Sequence, residues 1–181
     1  MNHPTSLLSL ALFFLASFSS IAQAIQSKGA IIIASLEGEV SVINNSSGIP
    51  IPADRIKTGG LIFDGHTVKT GAESKVVLLF SSGTITTLQA DSVLNIKKFA
   101  QEKFDPKTAG KLGDRSDEPS PSETIIDLNL GDMVVDVKKL KKESSFNIDS
   151  PVGTAGIRGT VPAISVQETP GGGFNQTTNI Q

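Results

Sequence analysis

The side chain best suited to proton chemistry is His66, the only histidine beyond His3, in a chain with no cysteine. Histidine serves as a general base, a proton relay or a metal ligand, but each role needs companions. A lone imidazole cannot build a multi-histidine metal site, and the missing thiols exclude thiolate sites, a catalytic cysteine and a lipid-anchored cysteine. No Gly-x-Ser-x-Gly elbow occurs, and no spacing sets a serine and an acid around His66. His66 therefore reads as a polar loop residue. Carboxylates are more numerous, among them Asp64, Asp127, Asp132, Asp136 and Asp149. Paired acids hydrolyse glycosides, and clustered acids bind calcium. Here they alternate with apolar residues, which puts them on the wet faces of strands, and no Asp-x-Asp-x-Asp loop is present.

Gly153, Gly156 and Gly159 sit three apart. A phosphate cradle would need a following Gly-Lys-Ser/Thr and a helix, and both are missing. These glycines are expected to allow positive φ or close strand packing. Arg158, set between Ile157 and Gly159, can fork hydrogen bonds to a carboxylate or to backbone carbonyls. Two roles fit it, an internal brace and a partner contact, and the brace is the preferred expectation. Lys138, Lys139, Lys141 and Lys142, with Glu143, read as a solvated hairpin tip that would suit an anionic partner such as peptidoglycan or a lipid headgroup.

The elements that must position these residues are strands. Residues 7–18 form a compact apolar run, too short for a bilayer, and Ala22-Gln23-Ala24 follows with small residues two apart. Residues 1–24 are thus expected to be a signal peptide cleaved after Ala24, which leaves a periplasmic or secreted chain. Beyond it, short alternating runs are broken by Gly, Asn, Ser and Pro. Residues 39–43 alternate, and Asn44 to Gly48 supply a turn. Ile49-Pro50-Ile51-Pro52 can only be an edge or an extended loop. Val76 to Phe80 are apolar on both faces, as in a covered central strand. Ile126, Leu128 and Leu130, then Met133, Val135 and Val137, then Phe146 and Ile148 continue the alternation. Residues 101–123 are charged and poor in apolar groups, so they are expected to be an exposed insertion. Residues 167–181 read as a flexible tail. Gly38-Glu39-Val40-Ser41-Val42 echoes Gly131-Asp132-Met133-Val134-Val135, too faintly in sequence to establish a repeat.

The fold class expected is all-β, with antiparallel sheets packed as a sandwich or a short solenoid-like roll, in one domain over 25–166. The chain of 181 residues carries a net charge of −2 and has neither Trp nor Tyr. That balance argues against nucleic acid or an anionic membrane as main partner, and no aromatic platform exists for sugars or bases.

The order of these segments resembles the FecR domain family. Leu36 to Val42 looks like its opening strand, and Leu61 to Ser74 like its glycine-rich loop leading to Thr70-Gly71-x-x-Ser74. Val76 to Phe80, Gly83 and Ser92 to Ile96 look like the central strands. Ile148-Asp149-Ser150-Pro151-Val152-Gly153-Thr154-Ala155-Gly156-Ile157-Arg158-Gly159-Thr160 closely resembles the terminal signature. The resemblance spans about residues 36–166. It implies an all-β extracytoplasmic domain, often found in regulators that relay a signal from an outer-membrane receptor to a sigma factor. It also implies that Pro151, Gly153, Gly156, Arg158, Gly159 and Thr160 act as structural or partner-contact residues. The sequence departs from the pattern at His66, where an acid is usual, at Ser150, where threonine is usual, and at Pro162, which is expected to shorten the final strand. It lacks an anti-sigma segment and ends soon after the signature, as a minimal or truncated member would.

The function expected is a non-catalytic binding or sensing module, without cofactor or metal, that docks another envelope protein. An envelope-structural or glycan-binding role through the lysine cluster is the alternative. A hydrolase using Asp64, Asp132 or Asp149 ranks last.

Overall fold

In a computed structural model, residues 27–180 are described; the expected signal peptide lies outside them. The strands are β1 (Ile31–Glu37), β2 (Val40–Asn44), β3 (Leu61–Ile62), β4 (His66–Thr70), β5 (Lys75–Phe80), β6 (Ile85–Leu88), β7 (Val93–Gln101), β8 (Ser122–Asp136), β9 (Ser145–Ser150), β10 (Gly153–Ile157), β11 (Pro162–Glu168) and β12 (Phe174–Ile180). One short α-helix, α1 (Pro106–Ala109), and two 3-10 turns, Ala53–Arg55 and Leu112–Asp114, interrupt them. About 54% of the chain is strand and 6% helix, so the all-β expectation holds.

Two runs of strands share β8. One is ordered β2-β4-β7-β8-β9-β10, the other β3-β1-β5-β6-β8-β11-β12. Every pairing is antiparallel except β8 with β9. The alternation read in the sequence explains the layering. Val68, Leu94, Ile96, Ile126, Leu128, Phe146 and Ile148 point inward from the first run; Ile31, Val76, Leu78, Phe80, Leu88, Val135 and Val166 point inward from the second. All belong to one buried cluster. The Phe80 and Phe99 rings meet edge to face across the layers, with centroids 5.0 Å apart.

A paired corner makes this wrapping possible. At Gly38 the chain turns from β1 into β2, and at Gly131 β8 passes from one layer to the other. The two glycines have φ of 72° and 90°. At each, a serine from a neighbouring Ala-acid-Ser turn lies directly beneath. The Glu39 N–H donates to Ser74 Oγ at 2.9 Å, and Ser74 Oγ donates to the Ala72 carbonyl at 2.9 Å. The Asp132 N–H donates to Ser92 Oγ at 2.9 Å, and Ser92 Oγ donates to the Ala90 carbonyl at 2.9 Å. The middle acids of the two turns, Glu73 and Asp91, have φ of 50° and 51°. Thr70 locks the turns together: its Oγ1 accepts from the Ser92 N–H at 3.0 Å and donates to the Gln89 carbonyl at 2.5 Å. The faint sequence echo around Gly38 and Gly131 is thus a duplicated structural device.

Three expectations change. Residues 102–121 do form an insertion between β7 and β8, with most of 102–116 exposed as expected, but it is fastened down and is half-buried or buried over 117–121. Asp105 caps α1 through the Lys107 N–H at 2.9 Å, and Arg115 donates to the carbonyls of Ala109 at 2.8 Å and Asp117 at 2.9 Å. Glu118 is 0% exposed. Its carboxylate accepts from the Ser122 hydroxyl at 2.6 Å, from the Lys141 N–H at 2.5 Å and from the Ser144 hydroxyl. Hydrogen bonds, not apolar area, hold this segment down, which is why composition misled. Pro162 does not shorten the last strand of the signature region; it opens seven-residue β11, the first position of a strand being one where proline is tolerated. Residues 174–180, expected within a flexible tail, form β12 against β11.

The corner supplies a prediction. A Cβ at Gly131 would lie 2.1 Å from Ser92 Oγ, whereas one at Gly48 (φ 68°) would meet nothing within 4 Å. Gly48→Ala should cost about 1–2 kcal/mol from left-handed strain alone. Gly131→Ala should cost roughly 2–5 kcal/mol, since overpacking adds to that strain. Urea unfolding of both variants checks the difference.

Candidate functional site

His66 opens β4 and uses both ring nitrogens. Nδ1 faces the carbonyls of Phe63 at 3.1 Å and Asp64 at 3.2 Å, so the proton sits on Nδ1, because carbonyls only accept. Nε2 then accepts from the Asn44 side-chain amide at 3.4 Å. The imidazole fastens the loop ahead of β4 to β2.

Of the five carboxylates singled out, all but Asp132 are paired with cations. Asp64 meets Lys28 at 3.3 Å, and Asp136 meets Lys138 at 2.6 Å. Asp127 and Asp149 are cross-strand neighbours on β8 and β9, and Lys97 of β7 bridges them at 2.9 and 3.0 Å. These hydrogen bonds, Asp127 first and Asp149 second, raise the Lys97 ammonium above its usual range. The Thr154 hydroxyl, at 2.7 Å, and then Lys97 hold the Asp149 carboxyl below its usual range. Asp132 has its side chain exposed; only its backbone serves the corner. Among the described residues no group of three or more His, Cys, Asp or Glu could hold a metal ion.

The lysine cluster is partly consumed. Lys138 is buried against Asp136, and Lys141 binds Asp117 at 3.2 Å, which lowers the Asp117 carboxyl. Lys139 and Lys142 stay exposed. The four lysines therefore do not form a free basic tip.

A shallow groove of about 730 Å³ runs beside His66, floored by Ile49, Ile51, Leu61 and Phe63 and rimmed by Arg55 and Lys57. The Ile49–Ile51 stretch lies along β2: the Asn44 N–H donates to the Ile49 carbonyl at 3.0 Å and the Ile51 N–H to the Val42 carbonyl at 2.7 Å. As expected for a segment with two prolines, it closes that edge of the sheet.

The terminal signature lies at the opposite edge. Pro151 and Val152 form the exposed turn between β9 and β10, where Ser150 Oγ donates to the Gly153 carbonyl at 3.0 Å. Gly153 and Gly156 lie in β10, exposed and without side chains to cover its backbone. Gly159 follows at φ 66°, and the Thr160 carbonyl accepts from the Val137 N–H at 3.1 Å, fastening the loop to the end of β8. Arg158 is exposed and has no hydrogen-bond or ion-pair partner among the described residues. The expected brace is not formed by Arg158 among the described residues. Sequence reasoning missed Ser74 and Ser92 as corner residues, and Glu118. Their signals were slight: a serine two residues past an alanine in two turns, and one acid among many.

The result is an all-β scaffold whose imidazole and principal carboxylates are engaged in holding it together, with its terminal signature displayed along an open strand. The family model described as FecR protein matches residues 66–172, and the chain belongs to that family. Membership places it with regulators and sensing modules of signal transduction. The match starts at β4 and ends in the β11–β12 turn, so β1, β2 and the groove residues ahead of His66 fall outside it. No curated protein and no solved structure matches the chain.

The Lys97 bridge yields a pH prediction. Asp149 has a lowered folded pKa, so its contribution is present above the unfolded carboxyl value and is lost as pH falls through the folded one. Lys97 has a raised pKa, so its contribution is complete below the unfolded ammonium value and is lost only as pH rises through the folded one. In Lys97→Met, Asp127 and Asp149 face each other without a cation, and Asp149 keeps only the Thr154 hydroxyl. That variant should lose little stability at neutral pH, roughly 1 kcal/mol or less for so exposed a pair. Its acid limb should be flatter than the wild type's through the carboxylate range, roughly pH 3 to 5. Urea midpoints across that range give the comparison, and superimposable limbs would disprove the bridge.

Proposed function

We propose that the chain is an exported, non-catalytic FecR-domain module that docks another envelope protein. Export follows from the apolar run and Ala22-Gln23-Ala24, with cleavage after Ala24 and a periplasmic or secreted mature chain. No helix among the described residues is long and apolar enough to cross a membrane. A binding role accords with a fold in which His66 and the acids are spent on structure.

The observation that carries the reading is the unpartnered Arg158 at the end of β10. β10 has β9 on one side and an open row of backbone groups on the other. An extended segment of a partner can add there by main-chain hydrogen bonds, the mode of strand addition. Gly153 and Gly156 leave that approach clear, and Arg158 can fork onto a carboxylate of the incoming segment. The partner segment is therefore extended and acidic. A glycan-binding role through Lys138 to Lys142 gains no support, because two of those lysines are paired internally.

Affinity capture from an envelope extract tests this, with the mature chain as bait. Arg158→Glu should reduce recovery of the partner at least about tenfold, as loss of a hydrogen-bonded charge pair does. Lys142→Glu, which changes an equally exposed cation outside β10, should leave recovery intact. Equal recovery with both variants, or no partner under varied conditions, would refute the reading.

A further inference from the structure

Among the described residues a second edge without a neighbouring strand belongs to β12, and its sequence is nearly symmetric about its centre. β12 reads Phe174-Asn175-Gln176-Thr177-Thr178-Asn179-Ile180. From Thr177 outward, each step meets a residue of like character on both sides: Gln176 and Thr178, Asn175 and Asn179, Phe174 and Ile180. Such a strand is complementary to itself when run antiparallel. We infer that β12 is a self-association edge, on which a second copy of this chain pairs its own β12 about a twofold axis through Thr177.

In that register Phe174 lies opposite Ile180 of the second copy, Asn175 opposite its Asn179, Gln176 opposite its Thr178, and Thr177 opposite its Thr177. The Phe174–Ile180 and Thr177–Thr177 pairs are of kinds that stabilise neighbouring strands, and no like charges meet; the Gln176 side chain stays bonded within its own copy, to Ser150 and Thr178. Phe174 is 36% exposed and Ile180 68%, so the strand displays an apolar residue at each end. In the paired form each covers the other.

The other edges fit poorly or are closed. β2 is covered by the Ile49–Ile51 stretch. β3 has two residues. β10 has five residues, two of them glycine, and ends at a charged Arg158. β12 has seven residues with no charge, no proline and no glycine, and its register with β11 is unbroken from Pro162 opposite Ile180 to Glu168 opposite Phe174. Exposed edges that must stay single usually carry a lysine, a proline or a bulge, and β12 has none. A twofold contact of one patch with itself closes after two copies. It leaves β10 free, so self-association and partner docking occupy different edges, and one can fail without the other.

Sedimentation of the mature chain at roughly 100 µM, where a micromolar contact is mostly associated, should show a dimer that dissociates on dilution. Asn175→Lys with Asn179→Lys sets lysine against lysine across the axis and should give a monomer. Asn175→Lys with Asn179→Asp sets lysine against aspartate and should restore the dimer. The chain has no cysteine, so crosslinking is clean. Thr177→Cys, facing its own copy, should form an oxidised dimer at least tenfold faster than Asn175→Cys, which faces Asn179. Circular dichroism of each variant checks that the fold is kept, as expected for a strand outside the core. A monomeric wild type, a dimer indifferent to paired lysines, or equal crosslinking at the two positions would overturn the inference.

Discussion

A glycine turning over a serine hydroxyl is the contact on which the molecule depends. A strand cannot change layers without leaving backbone donors outside the ladder, and a donor even partly shielded from water is costly to leave unpaired. At Gly38 and Gly131 that donor, the N–H of the following acid, is taken by Ser74 or Ser92. The close approach needs a residue without Cβ, and the positive φ needs the same. Each serine's own proton goes back to its turn. Because both corners are built alike and Thr70 joins their turns, the two layers are held at one spacing, which the inward Val, Leu, Ile and Phe side chains fill.

The polar groups follow from that scaffold. Once the layers are closed, the outer faces carry the charges, and strand register decides which acids meet which lysines. Lys97 falls between Asp127 and Asp149 because β7, β8 and β9 lie side by side. Glu118 is different. It sits inside, answered by two serine hydroxyls and a backbone N–H, and it anchors the excursion between β7 and β8. With these groups occupied, the surface of the described residues presents strand edges without a neighbour, the unpartnered Arg158 guanidinium and an open apolar groove.

Much of the fold was legible in the sequence because period-two alternation is a strong signal. The strand from Ile126 to Val137 and the proline-closed edge at Ile49 to Pro52 lie where their patterns put them; Val76 to Phe80 form the expected central strand, but only Val76, Leu78 and Phe80 are buried, while Val77 and Leu79 are half-buried rather than covered. The signature around Arg158 was legible as a family motif, but its arginine lies in the open instead of bracing the turn. The excursion is exposed over most of 102–116 as its composition implied, but its fastening was not legible, because the anchors are hydrogen bonds donated by Arg115 and accepted by Glu118, which look like ordinary surface charges in a composition. β12 was misread because Asn, Gln and Thr next to Gly171-Gly172-Gly173 resemble a tail, and its pairing with β11 comes from register rather than hydrophobicity. The corner serines were visible only as part of a faint echo, since a hydroxyl beneath a glycine has no periodicity of its own.

Native-state hydrogen exchange at the Glu39 and Asp132 amides tests the corner most directly, because those two N–H groups are the donors the serines receive. Both should exchange only through the most stable cooperative unit, with protection close to that of core amides such as Leu94 and Ile126. Exchange at either amide as fast as in the exposed Ser46–Gly48 turn would mean that the corner does not hold the layers.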